Sequence, residues 1–334
     1  MAVTIKDIAK VCNVSYSTVS RVLNSKFVKS TERNDKILAT ARALGYKPNQ
    51  SAIQLVKNTT NMIGLLIPDV ANPHYSEITK HVEDAALTNG YQVFLCNTDW
   101  DVNKEARYRD ALIERRLAGI IVMPVCDESH VIFRGLDIPV VLLGSRTEEK
   151  ELHYVVMDNV RAAFEATEYL IGMGHRRLAY ISRKVANFTS EDRAKGFRLA
   201  AGKNGVPAKD AVIAASDSYR LEGGYRTTAR LLEGDNPPTA ILAFSDFVAI
   251  GAMQAAEERG LTPGKDIAIL GFDNILFSTL PKINLTTITP SYAEQARKAM
   301  DIILSNATSG AKHSRSIEIL EPKMVVRGTC CANK

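Results

Sequence analysis

Short apolar runs alternate with helix-like stretches along the chain from Met62 onward, and this alternation constrains the fold more than any other feature. Between the runs, residues such as Phe164, Thr167, Leu170 and Ile171 recur at the spacing of one helical face. Strands that alternate with helices are typical of doubly wound parallel sheets. The sequence therefore predicts an α/β fold for this part of the chain. The apolar runs are residues 63–68, 93–97, 119–124, 139–144, 155–159, 177–182, 211–216, 239–244 and 266–273.

The order of the last elements predicts a two-lobed body at 61–334. The run 285–289 and the helix expected at 291–307 return the chain to the first lobe, and the final two strands tie the lobes together. Each lobe would then consist of two separate chain segments. We expect an N-terminal subdomain of about 61–159 and 289–318 and a C-terminal subdomain of about 160–288 and 319–334.

Several classes of protein are disfavoured by simple features. No apolar run approaches the roughly 20 residues of a membrane-spanning helix, and the start MAVTIKDIAKVCNV lacks the apolar core of a signal peptide. We therefore expect a cytoplasmic protein with no membrane contact. The five cysteines show no metal-ligand spacing, so we expect no metal and no cofactor. The Walker, GxSxG, HExxH and CxxC motifs are absent, which favours a binding protein over an enzyme.

Residues 1–60 are strongly basic. They contain ten lysines and arginines against three acidic residues, a net charge of +7, whereas the whole chain carries +5 and the remainder therefore −2. A small cationic unit joined to a near-neutral body suggests a polyanionic partner. Charge alone leaves a merely solvated basic surface as an equal alternative.

Helix signals divide the start of the chain into three short helices. Thr4 begins a capping box with the acidic residue three positions later, and Asn13, which tolerates the left-handed conformation, ends the first helix. Ser15 is expected to cap the second helix and Ser30 the third. Gly45 then closes the third helix.

Two helices joined by a tight turn form a helix-turn-helix, which we place at 1–47. In that geometry the first residues of the second helix enter the major groove of DNA. An arginine there can donate two hydrogen bonds to guanine, which contributes about 1–3 kcal/mol of discrimination. A three-helix bundle whose second helix only packs is the alternative. The candidates at these positions are Tyr16, Ser17, Ser20 and Arg21.

Polar residues mixed with aromatic ones follow the predicted strands. Ligands of open parallel sheets bind outside the carboxyl ends of the strands, so these residues are candidate ligand contacts. A sugar needs both kinds of group, because its hydroxyls need directed partners and its C–H face packs on aromatic rings. The candidates are Asp69, Asn72, His74, Tyr75, Asp99, Trp100, Ser145, Arg146, Asn187, Thr189, Asp217, Tyr219, Ser245, Asp246, Asp273 and Asn274.

The segments TIKDIAKVCNVSYSTVSRVLN and ILATARALGYKPN resemble the DNA-binding head of the LacI/GalR family, the lactose-repressor type of transcription regulator. The chain departs from the family pattern at Asn13, where glycine is usual, and at Lys29 and Glu32, so the third helix can start one residue differently. The resemblance makes Tyr16, Ser17 and Arg21 the main base readers. The full set of DNA contacts that it implies in the head is Thr4, Ser15, Tyr16, Ser17, Thr18, Ser20, Arg21 and Asn24.

The same resemblance assigns residues 48–60 to a hinge helix and linker. By its sequence this segment is a short helix that is marginal in water. In the family two such helices pair in the minor groove, where a leucine wedges between base pairs and kinks the duplex. The matching residue is Leu55, with Ala52 also expected at the DNA. A leucine that merely rests on the body is the alternative.

The segments ANPHYSEI, EDRAKGF, FSDFVAIGAMQA and ILGFDN resemble the type I periplasmic-binding-protein fold of the family's effector domains. The resemblance implies that Asp273 accepts hydrogen bonds from ligand hydroxyls, that Arg193 donates to the ligand, and that Tyr75 and Tyr219 flank it. A surface charge at Arg193, a helix cap at Asp273 and core packing of the two tyrosines are the alternatives. The weaker candidates are His74, Arg146, Asn187, Thr189 and Ser245.

These features together predict a repressor of carbohydrate-utilisation genes that a sugar or sugar acid controls. A purine or nucleoside effector is the runner-up, because aromatic rings can also hold a base. We expect a homodimer on a pseudo-palindromic operator in double-stranded DNA, since hinge pairing needs two heads and the chain shows no leucine-heptad tail. A sugar-processing enzyme built on Asp69, Asp99, Asp273 and His74, and a secreted sugar-binding protein, remain as alternatives.

Overall fold

The computed structural model describes residues 3–24, 29–46, 60–184, 187–307 and 315–333. The chain divides into two compact units, Met1–Thr59 and Thr60–Lys334, and each has its own apolar core. The expected hinge, with Ala52 and Leu55, lies outside the described residues, so its helix and its DNA contacts stay predictions.

The described part of the first unit is a helix-turn-helix with a third supporting helix. The backbone N–H of Thr4 donates to the Asp7 carboxylate at 2.8 Å, as the capping box requires. Asn13 takes a left-handed conformation with φ of 53° between the first two helices. The helices are α1 (Ile5–Cys12), α2 (Tyr16–Asn24) and α3 (Glu32–Ala43). Their buried core consists of Ile8, Ala9, Cys12, Val19, Val22, Ile37 and Ala41.

The start of α3 differs from the expectation by one residue. Thr31, not Ser30, is the N-cap, because its backbone is extended and its hydroxyl accepts the Asn34 N–H at 3.2 Å. The Ser30 hydroxyl donates instead to the Asp35 carboxylate at 2.8 Å. After the helix, Gly45 takes φ of 65°, a conformation in which glycine has no steric cost.

The first lobe of the larger unit is a parallel sheet with helices on both faces. One face of β1 buries Ile63 and Leu65 with helices α4 and α10, and the other buries Leu66 with α5. The strand order is β11-β5-β4-β3-β1-β2. The elements are β1 (Met62–Ile67), α4 (Pro73–Thr88), β2 (Gln92–Asn97), α5 (Val102–Glu114), β3 (Gly119–Val122), β4 (Val140–Leu143), β5 (His153–Met157), α10 (Tyr292–Ala307) and β11 (Ile317–Leu320).

The second lobe repeats this architecture, with strand order β12-β10-β9-β8-β6-β7. Its strands are parallel except for β12, which pairs antiparallel with β10. Buried residues of the strands and helices form one continuous core. The elements are α6 (Asn159–Gly172), β6 (Leu178–Arg183), α7 (Phe188–Lys203), β7 (Ala211–Ser216), α8 (Leu221–Glu233), β8 (Ala240–Ala243), α9 (Asp246–Glu257), β9 (Ala268–Phe272), β10 (Thr286–Thr289) and β12 (Lys323–Val325).

The chain passes between the lobes after β5, after β10 and after β11, so each lobe is built from two segments. The structure corrects the expected boundary between residues 318 and 319. That boundary lies inside β11, which pairs with β5 as far as Leu320 opposite Met157. The chain therefore crosses to the second lobe for the last time after Leu320. The carboxyl ends of the parallel strands of the two sheets border one cleft.

Candidate functional site

A cavity of about 130 Å³ lies between the two lobes of the larger unit. It is far larger than the space that one water molecule needs, so it can admit a small ligand. Most of the residues proposed as ligand contacts line it. These are His74, Tyr75, Asn187, Thr189, Arg193, Tyr219, Ser245 and Asp273.

Arg146 is one of the proposed ligand residues that do not line the cavity; the others are Asp69, Asp99, Asp217, Asp246 and Asn274. The Arg146 guanidinium makes two hydrogen bonds with Asp192 of α7, at 3.1 and 3.2 Å. It also stacks 4.2 Å above the ring of Phe188. Arg146 therefore joins the two lobes, since it follows β4 of the first lobe while Asp192 belongs to the second.

Arg193 is held in the cavity wall by a close crossing of two helices. A β-carbon at Gly196 would lie 2.1 Å from the Val160 carbonyl oxygen, so only glycine lets α7 approach α6 this closely. One turn earlier, Arg193 is only 9% exposed, which excludes an ordinary surface charge. Its Nε donates to Asn159 at 2.9 Å, and Nη1 donates to the Phe244 carbonyl oxygen.

Asp273 and Asp246 form a buried acidic pair at the carboxyl end of β9. Burial raises the pKa of both carboxyls, and their mutual repulsion adds to this for Asp246. Asp246 accepts from the Ser278 and Thr287 hydroxyls, at 2.5 Å each, and from the Ile275 N–H at 3.0 Å. Asp273 faces the cavity and is thus the member of the pair that a ligand can reach.

The backbone at Asp273 is itself unusual. Its φ is 109° and that of Asn274 is 54°, values that side chains other than glycine rarely adopt. The Asn274 side chain accepts from Arg327 at 2.6 Å, which holds the turn. Such strained turns are found where the surrounding structure fixes a functional group. The helix-cap reading of Asp273 does not fit, because the next 3₁₀ segment begins after Ile275.

His74 is neutral in this environment. Burial, followed by the charge of Arg193, lowers the pKa of His74 to about 3. Its Nδ1 lies 2.8 Å from the Tyr292 hydroxyl and 3.4 Å from the Asp273 carboxylate. The contact with Asp273 is therefore between a carboxyl group and a neutral imidazole, and it orients Asp273 without neutralising it.

Aromatic rings form a second wall of the cavity. Trp100 stands between Tyr75, at a centroid distance of 6.0 Å, and Tyr219, at 4.8 Å. Tyr219 also meets Phe244 edge to face at 6.3 Å. Trp100 takes φ of 60° directly after β2, which turns its indole into the cleft. These rings offer flat apolar surface to the same cavity that Arg193 and Asp273 line.

Other lining residues were missed by the sequence reading. Arg183 is the last residue of β6, so the rule that ligands bind at strand ends could have found it had the strand been extended by one residue. Asn159 begins α6 and Gln295 lies on the returning helix α10. Asp127 lies in a 3₁₀ segment, and its carboxylate accepts the Phe188 N–H at 2.6 Å. Asp127 and Gln295 had no local signal, whereas Asn159 follows the end of β5 by two residues and was within reach of the strand-end rule.

Contacts between the lobes surround the cavity. Arg220 pairs with Asp69 at 2.9 Å, and the Thr189 hydroxyl donates to the Gly144 carbonyl oxygen at 3.0 Å. Each contact joins a residue of the first lobe to one of the second. A change in the angle between the lobes would therefore break these contacts.

The exposed face of α2 carries the proposed base readers. Tyr16, 61% exposed, Ser17 and Arg21 all point to solvent. Ser15 begins the helix, with its hydroxyl accepting the Thr18 N–H at 3.2 Å. Thr18 and Ser20 are half-buried, Thr4 is exposed within its capping box, and nothing is described of the Asn24 side chain.

In the part of the chain that the structure describes, no group of three or more His, Cys, Asp or Glu side chains is arranged to hold a metal ion. Within the same residues, no helix is long and apolar enough to cross a membrane.

Comparison with known proteins gives a consistent picture over nearly the whole chain. Residues 4–49 match the family "Bacterial regulatory proteins, lacI family", and residues 60–325 match "Periplasmic binding proteins and sugar binding domain of LacI family". The HTH-type transcriptional regulator DegA of Bacillus subtilis is 34% identical, with 98% of each chain covered. The ribose operon repressor of Halalkalibacterium halodurans is 34% identical, over 98% of this chain and 96% of the relative. Among solved structures, the lac repressor dimer bound to operator and the anti-inducer ONPF matches with TM-score 0.82 at 25% identity, covering 99% of this chain and 100% of the repressor chain.

Proposed function

Because the chain belongs to the lacI family of bacterial transcriptional regulators, we propose that it represses carbohydrate-utilisation genes and that a small sugar or sugar acid controls it. The chain is a DNA-binding transcriptional regulator by its family; the class of effector and the genes are the proposal. We further propose that it acts in the cytoplasm, has no enzymatic activity, and needs no cofactor.

The observation that carries the effector proposal is the chemistry of the cavity. Buried Arg193 and Asp273 offer a donor and an acceptor to the cavity, and the rings of Trp100 and Tyr219 offer flat apolar surface to it. Sugars need this combination, since their hydroxyls require directed partners while their C–H faces pack on aromatic rings. The family match to a sugar binding domain and the ribose operon repressor among its relatives support the same class.

For DNA, we propose that two heads of a homodimer read the halves of a pseudo-palindrome. Tyr16, Ser17 and Arg21 are exposed on α2, in the position from which a recognition helix contacts base edges. The hinge would contribute Leu55 as a wedge in the minor groove and Ala52 beside it. The solved lac repressor structure is a dimer on its operator, which supports this assembly for a chain of the same family.

Control would act through the angle between the lobes. An effector shifts a conformational equilibrium only by its difference in affinity for the two states. In this chain the observed form of the cleft is held by contacts such as Arg220–Asp69 and Arg146–Asp192, which join the two lobes. We propose that a ligand in the cavity changes the stability of this form, and that release from the operator is the result.

A purine or nucleoside effector is the second candidate. The observation that favours it is the aromatic wall, because Trp100, Tyr219 and Tyr75 could stack on a planar base as well as on a sugar. A neutral base would leave much of the hydrogen-bonding capacity of Arg193 and Asp273 to waters.

The deciding experiment is a thermal-shift screen of the full-length protein against sugars, sugar acids, purines and nucleosides. Hits are then added to the protein bound to DNA that was selected from a random pool. A sugar or sugar acid that raises the melting temperature and releases the selected DNA supports the proposal. A purine that does so instead selects the second candidate, and a protein that enriches no palindrome from the pool contradicts the DNA proposal.

A further inference from the structure

The cavity contains two arginines whose surroundings differ. Arg193 is buried, hydrogen-bonded to Asn159 and to the Phe244 carbonyl oxygen, and attracted by the charge of Asp273. Its charge and several of its donors are therefore already used within the protein. Arg183, at the carboxyl end of β6, also lines the cavity, but nothing comparable holds its guanidinium.

The guanidinium of Arg183 makes only ring contacts with the described residues. Its carbon lies 4.1 Å from the ring centre of Tyr219 and 5.1 Å from that of Trp100. Its Nε is buried and has no hydrogen-bond partner, and among the described residues its side chain forms no ion pair or hydrogen bond. The backbone N–H of Arg183 donates to the Ser190 hydroxyl at 3.4 Å, which leaves the guanidinium unpaired. A buried donor without a partner is destabilising, so the Nε–H of Arg183 calls for an acceptor from outside the protein.

The carboxylates on the cavity wall do not supply a hydrogen-bond acceptor for the guanidinium of Arg183. Asp127 is close enough for the charge of Arg183 to lower its pKa, but burial, the larger effect, raises it. Its carboxylate accepts the Phe188 N–H at 2.6 Å and forms no ion pair with Arg183 among the described residues. Asp273, the other acidic residue on the wall, faces Arg193 and His74.

We propose that Arg183 is an oxyanion subsite of the effector cavity, and that the effector is a polyhydroxy compound carrying a carboxylate or a phosphate. The rings of Trp100 and Tyr219 hold the guanidinium in place and leave its N–H edge free. A planar guanidinium matches both oxyanions with two parallel hydrogen bonds. The hydroxyls of the same ligand would bind at Asp273 and Arg193. This inference rests on the proposed carbohydrate effector and narrows it to acidic or phosphorylated members.

The test is calorimetric titration of the full-length protein with matched sets of ligands. Each set contains a neutral sugar, its uronate or aldonate, and its phosphate ester, beginning with glucose, galactose and ribose; adenine and guanosine complete the panel. The variants are Arg183→Gln and, as a control for net charge, Arg226→Gln, which removes an exposed arginine paired with Asp217 in the same lobe. Melting curves establish that both variants fold.

We expect an anionic member to bind better than its neutral counterpart, and Arg183→Gln to weaken it by roughly 10- to 100-fold while Arg226→Gln has little effect. The affinities of the carboxylate and the phosphate ester of the same sugar show which oxyanion the site prefers. A neutral sugar that binds equally well, or a loss of the same size for neutral and anionic ligands in Arg183→Gln, overturns this inference alone. Binding of only the base or nucleoside, or of no member of the panel, overturns the carbohydrate effector and this inference together.

Discussion

Trp100 and Tyr219 lie in contact across the cleft, with ring centroids 4.8 Å apart and ring planes inclined at 38°. Trp100 follows β2 of the first lobe, and Tyr219 follows β7 of the second. Aromatic pairs of this kind contribute about 0.5–1.5 kcal/mol beyond their buried area. The pair is thus both a part of the ligand wall and a contact that depends on the angle between the lobes.

Trp100 should report ligand binding through its fluorescence. It is the single tryptophan of the chain, so all indole emission comes from the cleft. A ligand that inserts beside it changes the environment of the ring, and we expect a shift in emission maximum or intensity that saturates with the calorimetric Kd. Trp100→Phe should remove the signal while leaving a measurable affinity. Full calorimetric binding with unchanged emission would contradict the position of the ligand.

Asp273→Asn should separate ligand control from DNA binding. The substitution keeps the shape of the side chain but removes a negative acceptor from the cavity, so effector affinity should fall by about 1.5–3 kcal/mol, or roughly 10- to 150-fold. The affinity for operator DNA without effector should stay within twofold, measured by fluorescence anisotropy. Asp217→Asn changes an exposed carboxyl of the same lobe and serves as the control. Unchanged effector affinity in Asp273→Asn would place this residue outside the site.

The buried acidic pair should make stability depend on pH in a defined direction. The pKa values of Asp246 and Asp273 are raised, so the folded state holds a proton that the unfolded state releases above about pH 4. Their contribution to stability is present below the unfolded pKa and is lost as the pH rises through the folded values. His74 acts oppositely, because its lowered pKa, about 3, costs stability as the pH falls below 6.5.

Comparison of wild type with Asp273→Asn cancels the effect of the exposed titratable groups, which the two proteins share. We expect the melting temperature of the variant, relative to that of wild type, to rise between pH 4 and pH 8, by the equivalent of at least about 1 kcal/mol. Thermal melts of the ligand-free protein across this range measure it. A difference that is independent of pH would show that the pair titrates normally.

The sequence predicted the strands and the two-lobed plan because both depend on local pattern, namely short apolar runs between helical stretches. It also predicted Arg193 and Asp273 at the cavity, through the family resemblance. Arg183 ends a strand, so the rule that ligands bind at strand ends could have predicted it. That rule could not predict Asp127 and Gln295, because a 3₁₀ segment and the returning helix α10 reach the cavity only through tertiary packing.

Arg146 was predicted as a ligand contact, but it does not line the cavity. The rule that residues after parallel strands contact ligands selected it, and β4 does bring it to the correct edge of the sheet. Its direction, however, is decided by Asp192, a partner 46 positions later in the chain. No local pattern in the sequence predicts that pairing. The start of α3 and the lobe boundary at β11 differ from the prediction by one or two residues, where small differences in hydrogen bonding decide.

Gly196→Ala should weaken effector binding indirectly, by displacing the helix that carries Arg193. The added β-carbon would lie 2.1 Å from the Val160 carbonyl oxygen, so α7 must move away from α6 and carry Arg193 with it. We expect a loss of about 1–3 kcal/mol in stability and a larger relative loss in effector affinity. Gly202→Ala on the same helix meets nothing within 4 Å and should be neutral or stabilising by about 0.5–1 kcal/mol. Equal effects of the two substitutions in melting and titration experiments would contradict the close crossing.

Arg21→Ala should weaken operator binding in a way that depends on sequence. Arg21 is exposed on α2, where an arginine can make two hydrogen bonds to one guanine. Its loss should cost about 1–3 kcal/mol on the selected operator and relax the preference at one position of each half-site.

Lys10→Ala is the control: it removes an exposed cation of α1 and should lower affinity for all sequences alike, with a smaller salt dependence. Anisotropy titrations on operators changed at single positions distinguish the two patterns, because a guanine reader loses affinity only where its guanine was present. If Arg21→Ala instead weakens every operator variant equally, Arg21 contacts phosphate, and base reading must come from Tyr16 and Ser17.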